Sequence, residues 1–238
     1  MTWSIIARDA ATGEFGIAVA TRFFAVGARV PYIAAGIGGI ATQALVNPYY
    51  DGLKLLRSGR APCDVVETLI AADAGHESRQ LHIMDASGRI AAYTGNQCVD
   101  WCGHIKGDGF SIAGNMLAGS HVLDDTAKAY VASEKLPFPQ RLIMAMRAGE
   151  AAGGDKRGKQ SAALLIHGDE EWSALDLRVD DHADPLAELD RLEQVSRERW
   201  VHFRKYLPSR ANPAGITDRE TIDAGIEASI EATTASRT

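Results

Sequence analysis

The chain has little cysteine, few aromatics and no excess of positive charge. Cys63, Cys98 and Cys102 are the only cysteines in 238 residues, too few for a disulfide scaffold, and they fit a reducing compartment. Cys98 and Cys102 form a C-x3-C spacing with no second pair, and His104 adds only one ligand, so zinc is not expected. A net charge of −6 argues against a nucleic-acid surface. The long apolar stretch from Val30 to Val46 is rich in Gly and Ala and interrupted by Gln43, which suits buried strands better than a membrane span. No leader pattern is evident, so the cytoplasm is the expected location. The Gly-rich run Gly153–Ser161 lacks the G-x4-G-K-[ST] spacing of a phosphate loop, and no G-x-S-x-G elbow occurs anywhere. The expectation is a soluble protein with no cofactor, no metal, no nucleic acid and no membrane partner.

What is present is an ordinary globular composition, 46% hydrophobic and 24% charged. The first 23 residues read as a hairpin. Trp3, Ile5 and Ala7 alternate with Thr2, Ser4 and Ile6, a turn follows around Gly13, and Phe15, Ile17 and Val19 alternate with Gly16, Ala18 and Ala20. Strands are expected over 29–35 and 37–44, completing a four-strand meander, with Gly38-Gly39 marking a close backbone approach. Asn47-Pro48 reads as the start of a helix to Arg57, and Pro62 as the start of another. Strands over 79–85 and 89–94, an irregular stretch 95–106 and a strand 109–114 follow. Next come helices over 120–133 and 137–152, strands 161–166 and 173–179, and one helix from Asp184-Pro185 to Tyr206. The tail shows only a weak helical patch, 221–232. Strands grouped apart from paired helices favour an α+β fold of two antiparallel sheets covered by helices. One domain is expected over residues 1–207, with 208–238 a partly disordered or docking tail. Trp200 and Phe203 lie outside the last helix's apolar stripe and suit that tail or a second subunit, so a homo-oligomer is expected.

Four groups of residues could carry chemistry. Removal of Met1 would leave Thr2 with both a hydroxyl and a free α-amine, whose ordinary pKa of about 7.7–8.0 suits a base near neutrality. Hairpin geometry returns Arg22 beside Thr2, and Arg29 begins the next strand; two cations there would depress the amine and stabilise an oxyanion. The alternative is that Thr2 is a strand start and both arginines are surface residues. The loop Gly153–Gln160 could hold an anion through its amides, with Asp155, Lys156 and Arg157 in it, or be a solvated helix end. Gln43, Asn47 and Asn115 are polar residues at strand ends that could face a pocket; helix capping accounts for Asn47 and a turn for Asn115. Asp180, Asp181 and His182 could gather a cation, or be an ion-paired strand end before a helix cap at Asp184.

The segments Thr2–Asp9, Thr12–Gly16, Ala41–Ala44, Asn47-Pro48, Gly153–Gly158, Gln160–Ala163 and Asp176–His182 resemble the domain of unknown function 1028 family over about residues 2–207. That family is placed with the N-terminal-nucleophile hydrolases. The resemblance implies a four-layer α-β-β-α sandwich and amide-bond hydrolysis, with Thr2 as nucleophile, its amine as base and Arg22 and Arg29 as charged neighbours. Gly38-Gly39 or nearby backbone would supply oxyanion donors. The family supplies no substrate; the expected one is a small linear amide, ureide or short peptide whose carboxylate pairs with Arg22, Arg29 or the Lys156-Arg157 loop. It would be bound by Gln43, Asn47, Asn115, Asp155, Lys156 and Arg157. The competing expectation is a catalytically inactive module of the same fold that binds a small anion.

Overall fold

Residues 2–235 are described in a computed structural model. In chain order the elements are β1 (Thr2–Arg8), β2 (Phe15–Thr21), β3 (Pro31–Ala34), β4 (Gly38–Ala44), α1 (Gly52–Arg57), α2 (Pro62–Ala72), β5 (Arg79–Asp85), β6 (Ile90–Thr94), β7 (Trp101–Gly107), β8 (Phe110–Leu117), α3 (His121–Ala132), α4 (Phe138–Ala151), β9 (Ser161–His167), β10 (Leu175–Val179), α5 (Pro185–Ser196), α6 (Trp200–Phe203) and α7 (Arg219–Ala235). The fold is α+β. Its two antiparallel sheets run in the order β10-β9-β2-β1-β8-β7 and β3-β4-β5-β6.

The N-terminal hairpin forms as its alternation dictates, with Trp3 opposite Ala20 and Ile5 opposite Ala18. Its turn is closed by the Asp9 carboxylate, which accepts bonds from the Ala11 amide and the Thr12 hydroxyl, and by Gly13 at φ +77°. The meander does not continue into β3. Residues 22–30 instead cross to the other sheet through a 3-10 turn at Val26–Ala28. That crossing is pinned by the Val26 amide donating to Ser161 Oγ (3.1 Å) and the Ala25 amide to the Asp180 carbonyl (3.0 Å).

Period two divides each strand between two environments. Ile6, Ile17, Val19, Ala41 and Met84 form one buried cluster that joins the two sheets. Ile40, Leu81 and Ile83, one residue out of phase, pack with Leu56, Val65, Val66 and Leu69 of α1 and α2. On the six-stranded sheet, the Phe110 ring packs tilted against Tyr130 of α3 at 5.0 Å, and a Cβ at Gly16 would collide with Leu142 and Phe138 of α4. Gly38, at φ +142°, lets β4 approach β5 closely, since a Cβ there would lie 2.1 Å from the Met84 carbonyl oxygen.

Three local expectations change. The stretch read as irregular contains β7, an edge strand whose pairing with β8 is bulged between Trp101 and Gly103. Helix α1 begins at Gly52 rather than at Asn47, because the Asn47 side chain accepts from the Tyr49 amide and donates to Asp73. The helix expected over 184–206 ends at Ser196, whose hydroxyl turns back onto the Glu193 carbonyl (2.6 Å), and a short α6 follows. The chain divides into two compact units, one ending at Asp190 and one beginning at Arg191. The first holds both sheets and α1–α4. In the second, His202 Nδ1 lies 2.8 Å from Ser229 Oγ, and Arg199 pairs with Asp223 at 2.6 Å. Among the described residues, no helix is long and apolar enough to cross a membrane.

Candidate functional site

β1 lies between β2 and β8, so its first residue is flanked on both sides. Thr2 sits opposite Asn115 of β8 and one step beyond the Trp3–Ala20 pair of β2. Its hydroxyl lies 3.3 Å from that of Thr21, and the residue is only 6% exposed. Its carbonyl oxygen accepts two side-chain amides, Gln43 Nε2 at 3.4 Å and Asn115 Nδ2 at 3.3 Å. Both amides also donate to Gln80 Oε1, at 2.8 and 3.0 Å. Gln80 in turn shares its own amide among Thr94 Oγ1 and the carbonyls of Gly103 and Gly114. The end of β1 is therefore tied to β4, β5 and β8 at once.

A second branch starts two residues in. Ser4 Oγ donates to Gln43 Oε1 at 2.7 Å and lies 2.9 Å from His82 Nε2, while His82 Nδ1 lies 3.0 Å from Ser111 Oγ. Ser4 has one proton and spends it on Gln43, so His82 Nε2 must be the donor to Ser4, and Ser111 must donate to Nδ1. Burial pushes His82 down to about 3, helped by repulsion from His104, so the ring is neutral. The bonds run in one direction, from Ser111 through His82, Ser4 and Gln43 to the Thr2 carbonyl. Ser4, Thr21, Gln80, His82 and Ser111 escape sequence reasoning. Their one signal is that each polar residue falls on the sheet-facing phase of its strand, at positions where the period alone calls for apolar side chains.

The other expected site residues divide. The amide of Arg22 donates to Asp155 Oδ2 at 2.7 Å, and its guanidinium to Gln160 Oε1 at 3.1 Å, so the Gly-rich loop does meet the hairpin end. Asp155 is buried at 4% and pairs Arg157 as well, at 3.1 Å. Lys156 turns away to Asp100 at 2.5 Å. Gly154, at φ +47°, lies against Trp3, where a Cβ would meet the ring at 3.1 Å. Arg29 is exposed; the residue after it joins β4 through the Thr42 amide and the Val30 carbonyl. Asn47 is not brought to Thr2. It joins Tyr50 and Arg79 around Asp73, beside a separate cleft of about 130 Å³. Burial alone would raise Asp73, but bonds from Arg79, Asn47, the Gly75 amide and Tyr50 outweigh it and hold the carboxyl well below its usual range. Gly38-Gly39 sits at the far end of β4, five residues and roughly 16 Å along the strand from Gln43, too far to serve Thr2. Asp180 pairs with Arg178, Asp181 accepts from Gln160, and the His182 ring caps the Asp184 amide. Among the described residues, no three carboxylate, imidazole or thiol groups gather as a metal site.

Two clefts are lined by residues bonded to Thr2, Thr21 in one and Asn115 in the other. One, about 80 Å³, is lined by Trp3, Thr21, Glu150, Asp155 and Lys159. The other, about 270 Å³, opens beside Asn115 and the end of β4, and includes Leu45, Gln97, Cys98, Val99 and Met116. Non-glycine residues with left-handed backbone are uncommon, and of the four among the described residues two, Ala44 and Met116, line this second cleft; a third, Asp100, follows Val99.

The comparisons with known proteins agree with the segment matches read from the sequence. A protein from Silicibacter pomeroyi, SPO2555, solved as a crystal structure and itself assigned to the DUF1028 family model, is 33% identical, with a TM-score of 0.85 over 91% of this chain and 99% of that one. Anbu (ancestral beta-subunit) from Yersinia bercovieri aligns over 82% of this chain and 94% of its own at 10% identity and a TM-score of 0.41, too low to bear on fold or activity. No curated protein matches. A family model described as a family of unknown function (DUF1028) matches residues 2–189, and the chain belongs to that family.

Proposed function

We propose that the chain is an amide-bond hydrolase of the N-terminal-nucleophile type, with Thr2 as nucleophile once Met1 is removed, on a four-layer α-β-β-α sandwich. One observation carries this reading. Thr2, on the strand between β2 and β8, has its hydroxyl held by Thr21, which lines one cleft, and its carbonyl held by Gln43 and by Asn115, which lines another.

The chemistry follows from the two functional groups of a terminal threonine. The α-amine takes the proton of Oγ1 as the oxygen attacks the substrate carbonyl carbon. The tetrahedral intermediate collapses, the C–N bond breaks, and the departing nitrogen takes that proton from the ammonium. Water then attacks the resulting Thr2 ester, again with the amine as base, releasing a carboxylic acid and restoring the hydroxyl. One amide and one water give one acid and one amine. In this reading Gln43 and Asn115 are positioning residues: their donors are spent on the Thr2 carbonyl and on Gln80. Arg22, next in the chain to Thr21, and Arg29 are in this reading the cations that favour negative charge as it develops. Asp155, Lys156 and Arg157 shape the loop through their mutual and neighbouring ion pairs.

The test is hydrolysis of an amide library by wild type, Thr2→Ser and Thr2→Ala. Thr2→Ala is expected to lose at least about a thousandfold in kcat, as removal of a covalent nucleophile does, while Thr2→Ser retains measurable turnover. Wild-type rates in Thr2→Ala would place the nucleophile elsewhere.

A further inference from the structure

The charges around Thr2 are arranged unevenly. Lys156 is paired with Asp100, Arg157 with Asp155, and Lys159 with Glu150. Arg79, close to the larger cleft, is bound to Asp73 at 3.0 Å and to the Leu45 carbonyl at 2.7 Å. The larger cleft itself has no charged side chain in its lining. Leu45, Val99 and Met116 supply its apolar wall, and Gln97, Cys98 and Asn115 its polar atoms. All three are already engaged: Gln97 Oε1 accepts from the hydroxyl of Ser78, which also lines the cleft, Cys98 Sγ donates to the Arg79 carbonyl, and Asn115 donates to Thr2 and Gln80. Burial raises the Cys98 thiol, followed by its neighbour Cys102, so it stays a neutral thiol and adds no charge. At about 270 Å³ the space falls just short of drug-sized ligand pockets, which begin near roughly 300 Å³, and suits a short group.

Leu45 and Val99 are also 62% and 52% exposed, large apolar side chains left uncovered at the mouth of one cleft. A carboxylate entering here would be desolvated beside a cation, Arg79, already held by Asp73 and the Leu45 carbonyl, whereas an aliphatic or aromatic group would cover these side chains. Resting on the hydrolase reading above, we propose that this cleft holds the acyl side of the substrate, and that the substrates are neutral amides bearing a short apolar acyl group rather than anionic ones. The acyl carbonyl then lies at Thr2 and the departing amine points away from the Val99 wall.

The experiment uses the full chain and p-nitroanilides of acetic, isovaleric, phenylacetic and succinic acids, with wild type and Val99→Glu. Val99 is exposed, so its substitution leaves the fold intact. The isovaleryl or phenylacetyl compound is expected to exceed the succinyl compound at least tenfold in kcat/KM, and Val99→Glu to lose about tenfold of that advantage through KM. A succinyl preference, or equal rates, would overturn the inference while leaving Thr2 hydrolysis intact. Binding separates the other case. Isovaleramide and succinamate are titrated into Thr2→Ala, with and without Val99→Glu, by ligand-observed NMR. Isovaleramide binding that Val99→Glu abolishes supports the cleft even if the wild type hydrolyses nothing; no isovaleramide binding, or tighter succinamate binding, overturns it.

Discussion

The space between the two sheets has two unlike ends. At one, Ile6, Ile17, Ala41 and Met84 meet in an apolar cluster. At the other, the same strands place Ser4, Gln43, Gln80, His82, Ser111 and Asn115, all buried, in one bonded network. The strands, pairing and faces are the same; only the side chains change. A satisfied hydrogen bond contributes about 1 kcal/mol net, less than a well-packed apolar side chain of similar size. Stability alone therefore gives no reason for the polar end. Its distinguishing property is direction: the branch from Ser111 ends, through Gln43, on the Thr2 carbonyl, which the Asn115 amide also meets. The apolar end holds the sheets together, and the polar end fixes where β1 begins.

That division can be broken from either side. Met84→Ala should have the largest effect on stability, about 2–5 kcal/mol in denaturant unfolding, with turnover per folded molecule unchanged. Ser4→Ala should cost less, about 1–3 kcal/mol, because it leaves His82 Nε2 and Gln43 Oε1 unpaired. It should nonetheless lower kcat about tenfold on the preferred amide, which Met84→Ala should not. Equal kinetic effects of the two variants would erase the distinction between the ends.

Acid provides a third probe. Folded His82 stays neutral down to about pH 3, whereas in the unfolded chain it takes up a proton near its ordinary value of about 6.5. Between those values the unfolded state binds the extra proton, so His82's contribution is full above about pH 6.5 and is lost as pH falls towards 3. His104 and His167 are also depressed by burial and slope the same way. The difference between wild type and His82→Leu therefore isolates the ring, and the variant's unfolding free energy should vary less between pH 4 and 6.5. The smallest effect belongs to the loop: Lys156→Ala removes a half-exposed ion pair with Asp100 and should change stability by no more than about 1 kcal/mol.

Much of this arrangement was open to sequence reasoning. The hairpin, the helix pairs and the α+β class follow from alternation and from Pro and Gly punctuation. β7 was hidden because an edge strand carrying Gly103 and Gly107 beside His104 and Lys106 shows no clean period. The crossing between sheets after Thr21 was hidden because its anchors, Ser161 and Asp180, lie far along the chain. At the candidate site, Thr2, Arg22, Gln43, Asn115 and Asp155 do converge on the hairpin end, since strand pairing fixes their neighbours. Asn47 does not, because Asp73, 26 residues on, claims its amide. The Ser4–His82–Ser111 branch links three separate strands, and no local window contains it.

The central claim is that the polar end exists to present Thr2 as a terminal nucleophile. Intact mass spectrometry and N-terminal sequencing of natively produced protein test it most directly. The account predicts a chain that begins at Thr2, with its amine free. A soluble, folded population that uniformly retains Met1 would contradict it.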